Sequence, residues 1–218
     1  MTLKITQVPS PNYSERPADS NVIATIIHYT AGNGAVPWFA SPESKVSAHY
    51  VIHRDGTVTQ CVPLDLCAWH AGSGVIQYGG NMLQLPNLVS FGIELENFGQ
   101  LANRYDGMFF MADGATPVKY EGPAAIHARL QYDPTNIVEG YWEPFPQEQI
   151  DALKELIEVI GQQYPEAGAN LLGHDEIAMP LGRKRDPGPA FPWDQFARVT
   201  PRSLKSIMLD GGSHVDQG

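Results

Sequence analysis

VIATIIHYT, residues 22–30, carries β-branched side chains at Val22, Ile23, Thr25, Ile26, Ile27 and Thr30. An unbroken run of this kind, closed by Gly32 and Gly34, reads as a strand buried on both faces of a sheet. It leaves His28 near the strand's C-terminal end. Working outward, SAHYVIH (47–53) reads as a second strand, Arg54-Asp55-Gly56 as a tight turn and TVTQCV (57–62) as the hairpin partner. LVSFGIELEN (88–97) reads as a further strand, with Ile93 and Leu95 facing one way and Glu94 and Glu96 the other. Pro146 opens an amphipathic helix in which Ile150, Leu153, Leu156, Ile157, Ile160 and Tyr164 keep helical spacing until Pro165 ends it.

Other stretches are less regular. Residues 1–20 are rich in Pro and Ser and read as an extended arm. Residues 35–46 suit a short helix, and 171–174 a short strand or loop. Asn81 to Asn87 reads as loop, and WDQFARV (193–199) and SLKSIML (203–209) as short terminal helices. Residues 98–145 have no clear period and are too long for a plain connection, so they read as an insertion with a hairpin around Phe109–Tyr120. GRKRDPGPAFPW (182–193) reads as an ordered loop, and 210–218 as a frayed tail.

The chain has 218 residues, which at about 150 residues per domain suits one domain with insertions. Hydrophobic residues at 43% and charged residues at 17% support a sizeable core. With 14 basic and 24 acidic residues the net charge is -10, which argues against affinity for nucleic acid or an anionic membrane. No apolar run approaches the roughly 20 residues a bilayer span needs. Met1 to Ser10 hold one Lys and no apolar core of a signal peptide, which favours the cytoplasm, or a phage protein or one exported by another route, over the periplasm and leaves the compartment open. Cys61 and Cys67 read as small buried hydrophobes; a bridge between them would suggest an oxidising compartment.

Seven histidines stand at 28, 49, 53, 70, 127, 174 and 214. HExxH, GxGxxG after a strand, the P-loop and GxSxG are all absent, which lowers the standing of zincin, nucleotide-binding and α/β-hydrolase chemistry. A distributed metal site remains: His28 at a strand end, His174 after Gly173 and Asp186 in a Pro/Gly-stiffened loop. From spacing alone the structural reading is the commoner one: a lone His at a strand end is more often a satisfied structural residue than a ligand, and Asp before Pro is usually a turn residue.

Five strings in order change those odds: IIHYTAG (26–32), SAHYVIHRDGTVTQ (47–60), AWHAG (68–72), FGIELEN (91–97) and GHDEIAMPLGRKRDPGPAFPW (173–193). Together they resemble the type-2 N-acetylmuramoyl-L-alanine amidases, zinc enzymes that share a fold with phage T-odd lysozymes and peptidoglycan recognition proteins. The resemblance covers roughly residues 8–97 and 144–198. It implies an α/β fold, a single amidase domain over 1–218 with a mixed central sheet of about five or six strands flanked by helices. It implies one zinc ion on His28, His174 and Asp186, with Glu94 as catalytic carboxylate and Lys184 stabilising the oxyanion. His49, Trp69 and His70 fall in motifs that line the substrate groove of relatives. The substrate implied is peptidoglycan or a muropeptide. The runner-up, a non-catalytic recognition module, usually lacks a zinc ligand.

Two features of the resemblance point in different directions. The arm VPSPNYSERP (8–17) is similar to the start of cytosolic members that recycle anhydro-muropeptides. The short gap at 33–46 and the long insertion at about 99–145 are closer to wall-cleaving or phage members. Because that insertion emerges from the strand carrying Glu94, it is expected to wall the groove.

Overall fold

The structure, a computed structural model, describes residues 3–103, 108–111 and 119–209. Its centre is a six-stranded mixed sheet in the order Ile5–Gln7, Val58–Gln60, Tyr50–Ile52, Ser90–Leu95, Ala24–Tyr29 and Leu171–Gly173. Only the hairpin pair Tyr50–Ile52 and Val58–Gln60 is antiparallel. The strand read from VIATIIHYT lies between two parallel neighbours, which is why it tolerates apolar side chains on both faces.

One face is covered by the helix Gln147–Gln163, which buries Ile150, Leu153, Leu156 and Ile160 against Ile27, Phe91, Ile93 and Leu95. Gln149, wholly buried, donates to the carbonyls of Ile52 at 2.8 Å and Glu96 at 3.2 Å, pinning the helix start to two strand ends. The turn at Gly56 (φ +81°) fits beneath that start, where a Cβ would lie 2.7 Å from the Glu148 carbonyl oxygen. The opposite face carries Ile26, Ala71, Ile76, Leu172 and Ile177. By alternation His28 and Glu94 point to this second face, away from the helix.

The arm is not merely extended. Ile5–Gln7 joins the central sheet, and Tyr13–Glu15 pairs with Leu66–Ala68. Asn12 donates to the carbonyls of Ser41 at 2.8 Å and Val46 at 3.2 Å, bracing the segment after the short helix Ala35–Phe39. Asn81–Gln84, read as loop, pairs with Val75–Tyr78, and Pro86–Val89 forms one helical turn. Cys61 and Cys67 are free and buried, as small hydrophobes would be.

The described strands of 98–145, with Lys205–Met208, build a second, antiparallel sheet in the order Phe109–Met111, Gln100–Asn103, Ile137–Trp142, Ile126–Gln131 and Lys205–Met208. The expected hairpin is visible in part: the Tyr120 amide donates to the Phe109 carbonyl at 2.8 Å, while 112–118 lie outside the described residues. SLKSIML is a strand, not a helix, because its backbone groups complete the ladder of Ile126–Gln131. WDQFARV keeps only the single turn Trp193–Gln195. The expected frayed tail, 210–218, also lies outside the described residues. No helix among the described residues is long and apolar enough to cross a membrane.

The segment after Trp193 sends two arginines under the central sheet. Arg202 donates to Asp175 at 2.7 Å and to Glu176 at 3.1 Å, and Arg198 pairs with Glu176 at 3.0 Å. Burial pushes the Asp175 carboxyl up, and Arg202 pulls it back down. Removing one partner of such a buried cluster strands a charge, at a cost of about 3–5 kcal/mol. Arg202→Ala is therefore expected to lower unfolding stability by that amount in a urea titration; a loss under about 1 kcal/mol would contradict this account.

Candidate active site

Three parallel strands end at the same edge of the sheet, at Tyr29, Leu95 and Gly173. That edge is where sheets of this kind bind ligands. His28 and Glu94 are direct neighbours across the paired strands. His174 follows Gly173 at once and begins the short helix His174–Ile177. Asp186 comes from the Pro/Gly loop, whose path is fixed by the Asp175 amide donating to the Asp186 carbonyl at 2.7 Å.

These elements bring three donor atoms together. Asp186 Oδ2 lies 2.9 Å from both His28 Nδ1 and His174 Nδ1, and the two nitrogens are 3.0 Å apart. All three residues are buried. Donor–acceptor accounting then assigns the ring protons. His174 Nε2 is 2.9 Å from the Ala71 carbonyl, so it carries the proton and leaves Nδ1 bare. Ser90 donates to the Pro86 carbonyl at 2.7 Å and accepts from His70 Nε2 at 3.5 Å. His70 Nδ1 is therefore an acceptor, His28 Nε2 donates to it at 3.0 Å, and His28 Nδ1 is bare too.

Two bare nitrogens and a carboxylate oxygen thus face one another. A second proton on the His28 ring is disfavoured, since burial, and then His174, pushes its pKa down to about 4. Three lone pairs at this separation repel unless they share a cation. Two imidazoles and one carboxylate are a donor set suited to a divalent transition metal. The residues fit such an ion.

Glu94 stands beside them half-buried, and its Oε2 is buried with no hydrogen-bond partner among the described residues. Burial, reinforced by Asp186 and opposed by Lys184, raises its carboxyl to about 8. Glu96, on the same face, is instead engaged by His53 at 3.3 Å and Arg54 at 3.8 Å. Lys184 is exposed and lines the same cavity of about 650 Å³ as His28, Glu94 and Asp186. Its neighbours are occupied: Arg183 donates to the Ser73 carbonyl at 2.6 Å, and Arg185 donates to Gln100.

His70 and Trp69 line the cavity, and His49 does not. His49 sits behind His70, ring centroids 5.9 Å apart, accepting from the Gly92 amide at 3.0 Å and donating to the Leu66 carbonyl at 3.1 Å. Burial pushes its pKa down to about 3, so it is neutral packing behind the site. Gly92 makes room for His70, because a Cβ there would lie 2.4 Å from the ring. Sequence reasoning missed Trp38, an exposed aromatic on the cavity lining with Val46 and Trp69. A lone Trp in the Gly-rich AGNGAVPWF (31–39) was the available signal. No described residue of 98–145 lines the cavity, so the expectation that the insertion walls the groove is not met there.

The family described as N-acetylmuramoyl-L-alanine amidase matches residues 18–189. The chain belongs to that family. Among relatives, the amidase is 32% identical to the 1,6-anhydro-N-acetylmuramyl-L-alanine amidase AmpD of Citrobacter freundii, over 92% of this chain and 93% of AmpD. It also resembles the crystal structure of a selenomethionine AmpD derivative, with TM-score 0.59 and 27% identity over 90% of this chain and 97% of that one. A third likeness is to Escherichia coli AmiD in complex with anhydro-N-acetylmuramic acid-L-Ala-D-γ-Glu-L-Lys, with TM-score 0.54 and 27% identity over 84% and 64% of the two chains. Gap lengths that point toward wall-cleaving members are therefore compatible with near full-length similarity to AmpD.

The amidase is expected to hold one divalent metal ion per chain when reconstituted. His174→Ala and Asp186→Ala should each abolish stoichiometric binding in elemental analysis after gel filtration. Full occupancy in both variants would refute the triad.

Proposed function

We propose that the amidase uses zinc to hydrolyse the amide between the lactyl group of N-acetylmuramic acid and L-Ala, and that it accepts anhydro-muropeptides. The observation that carries this reading is the convergence of three unprotonated donor atoms with an unpartnered carboxylate and an exposed ammonium in one cavity. Held by His28, His174 and Asp186, zinc supplies Lewis acidity, which lowers the pKa of a water and polarises a carbonyl.

The remaining chemistry belongs to the chain. Glu94 takes a proton from the attacking water and returns it to the departing amine of L-Ala as the C–N bond breaks. Its carboxyl stands on the cavity lining with Oε2 unpartnered among the described residues, placed to do both. The Lys184 ammonium stabilises the negative charge that gathers on the amide oxygen. His70 fixes the tautomer of His28, and His49 supports His70 from behind. Trp38, Val46 and Trp69 offer apolar surface to the sugar ring. The likeness to AmpD, and to AmiD bound to an anhydro-muramyl peptide, supports the choice of substrate class.

The test is to incubate zinc-loaded protein with anhydro-muropeptide and, in parallel, with intact sacculi, identifying products by mass. Free stem peptide should appear from the anhydro fragment. Glu94→Gln should lower kcat by about 10²–10⁴-fold, and Lys184→Ala by about 10²–10³-fold. No stem peptide from either substrate would overturn the reading.

A further inference from the structure

The described residues of the second sheet lie outside the cavity lining, yet the sheet touches two of the three segments that carry the metal donors. On the loop it makes four contacts. The Tyr132 hydroxyl donates to the Lys184 carbonyl at 2.5 Å, and Gln100 Oε1 accepts from Arg185. Asn136 closes on Gly182, where a Cβ would lie 2.6 Å from its Nδ2, and Trp142 closes on Gly188, where a Cβ would lie 2.9 Å from the ring. On the other segment, Tyr29, next to His28, packs in one cluster with Ala128, Trp142 and Ala190. Its ring also lies against Gly99, at the entry to the second sheet.

The loop needs such support. Gly182 (φ +85°) and Gly188 (φ +79°) mark its two ends, and between them the backbone joins no strand ladder. Lys184 and Asp186 are two residues apart on this stretch, so the orientation of the Lys184 peptide bears on both side chains. Tyr132 is well placed to set it. The residue is buried, packs with Leu130 and Leu204, and closes a tight turn through its amide donating to the Asn136 carbonyl at 3.0 Å. The strand before it is held on both sides, by Ile137–Trp142 and Lys205–Met208.

We infer that the five-stranded sheet is the outer jaw of the metal centre, and that Tyr132 is its positioning residue, setting through its hydroxyl the place of Lys184 and Asp186. The sheet that the sequence presents as an insertion is on this account part of the catalytic apparatus without touching substrate. The part of the inference that concerns turnover rests on the amidase reading above; the part that concerns metal affinity does not.

Tyr132→Phe removes the hydroxyl alone, and Gln100→Ala releases Arg185 from a half-buried position. Zinc is titrated by calorimetry into metal-free wild type and both variants, with Tm and steady-state kinetics on anhydro-muropeptide alongside. Tyr132→Phe should bind zinc about tenfold or more weakly. Its kcat should fall with KM unchanged and Tm within a few degrees of wild type. Gln100→Ala should shift the same way, and it decides the matter if Tyr132→Phe fails to fold. Wild-type zinc affinity and kcat in the folded variants, whatever their Tm, would overturn the inference. A wild type that binds zinc but cleaves no muramyl amide would sink the amidase reading and leave the affinity comparison standing.

Discussion

Two imidazole nitrogens and a carboxylate oxygen meet within 3.0 Å in a buried site, each presenting a lone pair to the others. With both rings neutral, no tautomer consistent with the outer hydrogen bonds relieves that meeting, because Ala71 and the His70–Ser90 chain claim the ring protons on the far side. A shared cation would relieve that repulsion, and the surrounding structure holds the three groups in place around one point. Much of the architecture answers that demand.

Parallel strands bring His28 and Glu94 side by side and deliver His174 at the same edge. The long helix takes the opposite face, which leaves the donor face free for a cavity. Beneath His174, Arg202 and Arg198 neutralise Asp175 and Glu176, and the Asp175 amide in turn holds the loop at Asp186. The second sheet closes on that loop from outside. Every donor is thus fixed by at least one hydrogen bond or packing contact from a neighbouring element.

Charge is distributed with the same logic. The chain carries a net charge of -10, yet Arg183, Lys184 and Arg185 follow one another on the cavity lining. The two arginines are tied to backbone or side-chain acceptors, which leaves the central lysine to face the cavity. A basic run that would ordinarily be a solvated face therefore resolves into two anchors and one exposed ammonium on the cavity lining.

Much of this was legible in the residues. Unbroken β-branched runs and a 3.6-residue period mark out the central strands and the long helix, because local burial patterns survive in sequence. The ordered motifs around His28, Glu94, His174 and Asp186 name the amidase family, since those residue types in that order carry its chemistry. Periodicity could not separate Glu94 from Glu96, which share a face; only the fold gives Glu96 to His53 and Arg54 and leaves Glu94 Oε2 unpartnered. Nor could it place His49 behind the cavity or turn 98–145 and SLKSIML into one sheet. Strand pairing between residues some 75 positions apart, such as Leu130 with Ser206, leaves no local period to read. The sequence determined which groups are candidates for the chemistry, because chemistry resides in side-chain identity. Tertiary structure decided which are free to act, because hydrogen bonds and packing from distant residues consume the rest.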